Sequence, residues 1–103
     1  NQEDAQAMVK EFKSRRDIMV SGLNSLPGIT CNNPKGAFYA FPNITNTGMS
    51  SSDFEKRMLN DAGVSLLSGT AFGEMGEGYI RVTFANSREN LNEALKRMKE
   101  FLK

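Results

Sequence analysis

Hydrophobic residues recur at helical spacing over the first part of the chain. Steps of three, four and seven residues place them on one stripe of a helix predicted from Asp4 to about Leu26: Ala5, Met8, Val9, Phe12, Met19, Val20 and Leu23. Pro27 and Gly28 are expected to end this helix, because proline disfavours helix in the preceding residue and glycine allows a turn. We interpret the stripe mainly as core. The helix is long for so small a domain, which leaves open a contact with something outside the chain.

Residues 29–41 predict a β-hairpin. The first strand is residues 29–32, the turn is residues 33–36, and the second strand is the aromatic-rich segment 37–41, which Pro42 ends.

A polar loop over residues 43–51 then leads to a second predicted helix. Ser52 and Glu55 have the spacing of a capping box, which satisfies free amides at a helix start. The residues expected on its buried face are Phe54, Met58, Leu59 and Ala62. Gly63 is expected to adopt the left-handed conformation that ends a helix.

The last part of the chain predicts two strands and a helix. Residues 64–67 form one strand and residues 79–84 the other, separated by a segment with four glycines that we call the glycine loop, residues 68–78. Ser87 is expected to cap the final helix. Its inner stripe is Leu91, Ala94, Leu95, Met98, Phe101 and Leu102. The element order αββαββα predicts a single α+β domain over residues 1–103, a sandwich with helices packed on a mainly antiparallel sheet.

Composition narrows the possible functions. The chain has 103 residues, a formal net charge of +1, no histidine and one cysteine. The near-balanced charge argues against nucleic-acid binding, and the lack of histidine removes most metal and acid–base chemistry. No apolar run approaches a membrane span. Cys31 lacks a histidine to activate it and is expected to be an inert core thiol in a reducing, cytoplasmic compartment.

The glycine loop superficially resembles a nucleotide-binding loop. Such loops, however, open a helix, whereas here a strand follows. Glu74 and Glu77 would also repel a phosphate. We therefore interpret the loop as a set of tight turns.

Arg81 is the better candidate for chemistry. Alternation along residues 79–84 places it on the face opposite the apolar residues, where its planar donors could bind a carboxylate through two parallel hydrogen bonds. Periodicity alone favours a solvated arginine, or one paired with a nearby acid such as Glu77. The aromatic residues Phe38, Tyr39 and Phe41 fit either a ligand pocket or the core.

Taken together, several motifs resemble one family in their order along nearly the whole chain. They are Arg15-Arg16-Asp17, Leu26-Pro27-Gly28-Ile29, Pro34-Lys35-Gly36-Ala37-Phe38-Tyr39-Ala40-Phe41-Pro42, Ser68-Gly69-Thr70-Ala71-Phe72-Gly73 and Gly76-Glu77-Gly78-Tyr79-Ile80-Arg81-Val82-Thr83-Phe84-Ala85. This set resembles the C-terminal small domain of class I/II pyridoxal-phosphate-dependent aminotransferases of the aspartate aminotransferase type.

The resemblance implies specific substrate-binding residues. Arg81 falls on the family's arginine that binds the substrate α-carboxylate, and Phe38 falls on an aromatic residue near the substrate entrance. Ser68 stands where many members have proline. The family's Schiff-base lysine and most groups that bind pyridoxal 5'-phosphate lie in a large domain whose motifs are absent here. The resemblance therefore assigns no catalytic, cofactor-binding or metal-binding residue to this chain.

The leading expectation is a fragment of a homodimeric, cytoplasmic aminotransferase. It would supply Arg81 and a surface that closes over an amino-acid or 2-oxo-acid substrate together with its own large domain, and it would be inactive alone. Neither nucleic acid nor membrane is an expected partner. The alternative is a stand-alone α+β ligand-binding or regulatory module without catalysis. RNA binding by the aromatic strand is disfavoured, since no basic stripe accompanies it.

Overall fold

The computed structural model describes residues 2–32, 39–84 and 86–102. The helices of this part are α1 (Gln2–Asn24), α2 (Ser51–Arg57) and α3 (Arg88–Leu102), and the strands are β1 (Tyr39–Ala40), β2 (Leu67–Ser68) and β3 (Ile80–Thr83). Helices and a small antiparallel sheet thus share one chain, which confirms the predicted α+β class.

The sheet is built around β3, which lies between β1 and β2 and runs antiparallel to both. Tyr39 pairs with Thr83, and Leu67 pairs with Arg81. The β1–β3 register continues beyond the strand to a bridge between Asn43 and Tyr79. Arg81 is therefore in the middle strand of the sheet.

The prediction of a strand over residues 29–32 is wrong. In the described part of this segment, Thr30 forms one antiparallel bridge with Asn43 and no longer strand. The side chain of Asn24 takes the place of a neighbouring strand, because its Nδ2 donates to the Cys31 carbonyl and its Oδ1 accepts from the Cys31 N–H, each at 2.8 Å. The predicted turn 33–36 lies outside the described residues.

Helix α1 ends at Asn24, two residues before its predicted end, and Gly28 has the expected positive φ of 78°. The apolar stripe is core only in its second half. Met19 and Leu23 are buried, whereas Met8 and Val9 are 60% and 52% exposed. The interpretation of the whole stripe as core is therefore wrong for the N-terminal half, against which no described element packs closely enough to bury these side chains.

The second helix begins two residues earlier than the predicted capping box. Its N-cap is Ser50, whose hydroxyl accepts a hydrogen bond from the Asp53 N–H at 3.1 Å. The prediction of Ser52 as the cap is wrong, because Glu55 instead bonds the Ser68 N–H. Helix α2 continues into a π-helical segment, Met58–Ala62, and the expected left-handed Gly63 ends it with φ of 71°.

The wider π-helical turn also changes which side chains are buried. Phe54 and Met58 are fully buried as predicted, but Leu59, expected on the same face, is 56% exposed. Hydrogen bonds of the i→i+5 type widen the turn, so the following side chains leave the stripe that a regular helix would present.

The structure confirms the cap and the inner stripe predicted for helix α3. The Ser87 hydroxyl accepts from the Asn90 N–H at 3.1 Å and so caps the helix start. Leu91, Leu95 and Met98 are buried, while Ala94, Phe101 and Leu102 pack partly buried against the core.

Helices α1 and α3 pack on each other, and the core lies between the helices and the inner face of the sheet. No helix in the described residues is long and apolar enough to span a membrane.

Candidate functional site

The two faces of β3 have opposite characters, as the alternation predicts. Ile80, Val82 and Phe84 are buried in the core. Arg81 is half-buried and Thr83 is exposed on the other face. Successive side chains of a strand point to opposite faces, so the outer face carries the polar residues. The candidate site is therefore on the outer face of the sheet.

Aromatic rings contact the guanidinium of Arg81. Its Cζ lies 4.2 Å from the ring centroid of Tyr39 and 4.6 Å from that of Phe72. Phe72 also meets Phe41 edge to face, with 6.3 Å between the ring centroids. Arginine favours such positions because the ring face is electron-rich. The outer face thus holds an arginine within an aromatic cluster, which we call the Arg81 cluster: Tyr39, Phe41, Phe72 and Arg81.

No carboxylate among residues 2–32, 39–84 and 86–102 forms an ion pair with Arg81. The proposed pairing with Glu77 is wrong. The Glu77 carboxylate instead accepts from the N–H groups of Ser51 and Gly78, at 2.9 and 2.7 Å. A guanidinium has five N–H donors in one plane, and contacts with the faces of aromatic rings do not use them as hydrogen-bond donors to an acceptor atom. The geometry suits bidentate binding of a carboxylate.

The glycine loop brings Phe72 to the cluster. It consists of two 3-10 turns, Gly69–Phe72 and Glu74–Gly76, which confirms the interpretation as tight turns. The Ser68 hydroxyl accepts from the Thr70 N–H at 3.2 Å, and the Ser68 N–H donates to the Glu55 carboxylate at 2.5 Å. Ser68 therefore fixes the start of the loop through hydrogen bonds.

Sequence reasoning missed Phe72 as a site residue. The available signal was a large aromatic residue in a glycine-rich, otherwise polar loop that leads directly to the arginine-bearing strand. Phe38, the second predicted substrate-binding residue, lies outside the described residues, so its role stays a prediction.

A shallow pocket of about 310 Å³ lies beside Arg81. Its lining residues are Tyr39, Ser65, Leu66, Leu67, Arg81 and Thr83. Arg81 is the only charged residue of this lining, so the pocket can neutralise one anionic group. Its lining contains no lysine for a Schiff base and no second cation for a phosphate. These residues therefore do not fit the binding of pyridoxal phosphate.

Cys31 and the acidic side chains offer little competing chemistry. Burial raises the pKa of the Cys31 thiol above its ordinary value, which disfavours the reactive thiolate. Within the described part of the chain, no cluster of acidic or cysteine side chains could hold a metal ion. Neither group competes with Arg81 as the candidate functional residue.

Comparison with known proteins agrees with the motif resemblance. The chain is 52% identical over 95 residues to an aspartate aminotransferase of Pyrococcus horikoshii, covering 92% of this chain and 24% of the relative. It is 44% identical over 96 residues to aromatic-amino-acid aminotransferase 2 of Thermococcus litoralis, covering 93% of this chain and 24% of that relative. The solved structure of an alanine aminotransferase from Pyrococcus furiosus superposes with a TM-score of 0.93 at 36% identity, over 99% of this chain and 26% of that one.

The chain thus spans about a quarter of the length of the curated relatives it matches. The model of the family described as aminotransferase class I and II matches residues 1–98, nearly the whole chain. This chain therefore belongs to the class I and II aminotransferase family.

Proposed function

We propose that the chain is the small, C-terminal domain of a pyridoxal-phosphate-dependent amino-acid aminotransferase, and that Arg81 binds the substrate α-carboxylate. The proposal rests on the burial and the contacts of Arg81. Arg81 is half-buried, and its guanidinium contacts two aromatic rings and has no carboxylate partner among the described residues. Such a cation is suited to pairing with an anion supplied by a ligand.

The chemistry of the family's substrates supports this assignment. The relatives are named for aspartate, aromatic amino acids and alanine, which differ in their side chains. An α-carboxylate is common to all of them, and the 2-oxo acids formed on loss of the amino group retain it. One arginine can therefore orient both the amino donor and the amino acceptor. In this proposal the substrate side chain is recognised mainly by other parts of the protein.

The cofactor belongs to the part of the protein outside this chain. Pyridoxal phosphate, when bound there, supplies the electron sink of the transamination. This chain contributes a carboxylate anchor and a surface that excludes water when the two domains close over the substrate. The proposed protein is a cytoplasmic homodimer, and the chain alone is inactive.

Substitution of Arg81 in the full-length protein tests the proposal. Arg81→Lys keeps the charge but loses the planar fork, and Arg81→Ala loses both. We expect KM for the amino acid to rise and kcat/KM to fall, with a cost on the order of 2–5 kcal/mol for Arg81→Ala. Arg97→Lys is the matched control, because Arg97 lies on α3, away from β3, and forms an ion pair with Glu93. Unchanged kinetics for both Arg81 variants would remove Arg81 from the site.

The isolated chain offers an independent test. Mixed with pyridoxal phosphate and aspartate, it should produce no oxaloacetate above the rate of the free cofactor. Enzymatic turnover by the chain alone would contradict the proposal. The upstream reading frame gives a further check, since it should encode a large domain with a Schiff-base lysine.

A further inference from the structure

The rings on Arg81 come from opposite sides of its strand. Tyr39 pairs with Thr83 in the β1–β3 register, which places it diagonally across from Arg81 on the same face. Phe72 follows β2 on the other side of β3. Both rings nevertheless lie within 4.6 Å of the Arg81 Cζ. Two segments that are far apart in the sequence thus converge on one guanidinium.

Neither ring belongs to the hydrophobic core. Tyr39 is 37% exposed and Phe72 is 54% exposed, while the core residues on the inner face of β3 are buried. More than a third of the Tyr39 surface and more than half of the Phe72 surface thus remain outside the core. Contact with the Arg81 guanidinium is an interaction that the two rings share.

The backbone of the glycine loop holds Phe72 in this position. The Gly69 N–H donates to the Tyr79 carbonyl at 2.8 Å, which ties the loop to the beginning of β3. A Cβ at Gly69 would lie 2.7 Å from that carbonyl oxygen, so the close approach requires glycine. Gly73 follows Phe72 with φ of 131°, a conformation that glycine adopts readily. The ring is thus delivered by a constrained turn.

The neighbouring rings reduce the conformational entropy that the Arg81 side chain loses when it binds a ligand. A free arginine side chain samples many rotamers, and a bidentate ion pair restricts them. The two ring contacts impose part of that restriction beforehand. They also lower the local polarity around the remaining edge, which strengthens an ion pair formed there.

We propose that Tyr39 and Phe72 are positioning residues, which hold the Arg81 guanidinium so that its in-plane N–H edge faces the substrate carboxylate. This inference rests on the proposed function of Arg81. The rings do not contact the reacting atoms, and they act through the orientation of the arginine. They are expected to affect binding of every substrate that carries an α-carboxylate, whatever its side chain.

Ring-deleting and ring-preserving variants of the full-length protein test this inference. The first pair is Tyr39→Leu and Phe72→Leu, and the second pair is Tyr39→Phe and Phe72→Tyr. Glutarate, a dicarboxylate without an amino group, serves as the probe, and calorimetry measures its Kd. We expect each leucine variant to raise this Kd and the KM for amino acid and 2-oxo acid by about 2- to 30-fold, with kcat nearly unchanged. The ring-preserving variants should retain wild-type values.

Tyr79→Leu is the matched control. Tyr79 is an aromatic residue next to β3, 39% exposed, and its ring is not one of the two that the Arg81 guanidinium lies over. Its loss should leave the Kd for glutarate unchanged. Thermal unfolding identifies any variant that fails to fold, and the two positions test the inference separately because they lie on different segments.

The outcomes separate this inference from the function on which it rests. If Arg81→Lys weakens glutarate binding but both leucine variants bind normally, the positioning inference is wrong and the function of Arg81 stands. If Arg81→Lys itself binds normally, the proposed function fails. Ring-preserving variants as weak as the leucine variants, or a fall in kcat with KM unchanged, would also overturn the inference.

Discussion

The backbones of Gly69 and Gly76 are in direct contact across the glycine loop. A Cβ on Gly76 would collide with the carbonyl group of Gly69, and a Cβ on Gly69 would collide with the carbonyl oxygen of Gly76. The obstacle in both cases is backbone, which cannot rotate away as a flexible side chain can. The two 3-10 turns of the loop can therefore pack together only because both positions are glycine.

Gly76→Ala should consequently disturb the loop. We expect the free energy of unfolding, measured by urea denaturation, to fall by about 1–3 kcal/mol through overpacking. Because the displaced turn carries Phe72, KM of the full-length protein should also rise.

Gly48→Ala is the comparison for this prediction. Nothing lies within 4 Å of a Cβ at Gly48, whose φ is 79°, so this variant introduces backbone strain without a collision. It should lower stability but leave KM unchanged. A rise in KM for Gly48→Ala equal to that for Gly76→Ala would argue against a local effect of the loop.

Glu77 predicts a specific dependence of stability on pH. Hydrogen bonds from the Ser51 hydroxyl, the Ser51 N–H and the Gly78 N–H hold the pKa of the Glu77 carboxyl below its ordinary value of 4.5. A carboxyl whose pKa is lowered by folding stabilises the fold at pH values above its unfolded pKa. That contribution is lost as the pH falls below 4.5 and through the folded pKa.

Glu77→Gln should therefore be less stable than the wild type at pH 7, and the difference should shrink as the pH is lowered from 5 to 3. Urea midpoints at several pH values measure this difference. Glu74→Gln is the control, since the exposed Glu74 carboxylate accepts no hydrogen bond from a described residue, and this variant should follow the wild type. The Glu11 carboxyl, whose pKa Arg88 and Arg15 lower, titrates in all three proteins and cancels in the comparison.

Ser50 and Ser52 form a matched pair for testing the start of α2. Both are exposed serines, but the hydroxyl of Ser50 is the one that accepts from the Asp53 N–H. Ser50→Ala should lower the free energy of unfolding by about 0.5–2 kcal/mol. Ser52→Ala should change it by less than about 0.5 kcal/mol. Thermal or urea unfolding measures both effects. A larger loss of stability for Ser52→Ala than for Ser50→Ala would instead support the capping box that the sequence pattern predicts.

The spacing of hydrophobic residues correctly predicted β3 and α3, whose buried faces follow from residues close together in the sequence. The alternation along residues 79–84 identified the buried and exposed faces of β3, and the helical spacing after Ser87 identified the buried stripe of α3. Predictions failed where a side-chain hydrogen bond or an irregular helical turn replaced the regular element. Asn24 replaced a strand partner for Cys31, and the π-helical segment turned Leu59 outward.

The sequence by itself determined the α+β class, the three helices and the presence of an arginine on the outer face of the last strand, because hydrophobic periodicity depends only on local spacing. The tertiary structure decided what surrounds that arginine. Tyr39 and Phe72 reach Arg81 only because β1 and β2 pair with opposite edges of β3 and because Gly69 and Gly76 let the loop fold closely. Contacts between segments far apart in the chain depend on register and close packing, which no local pattern specifies.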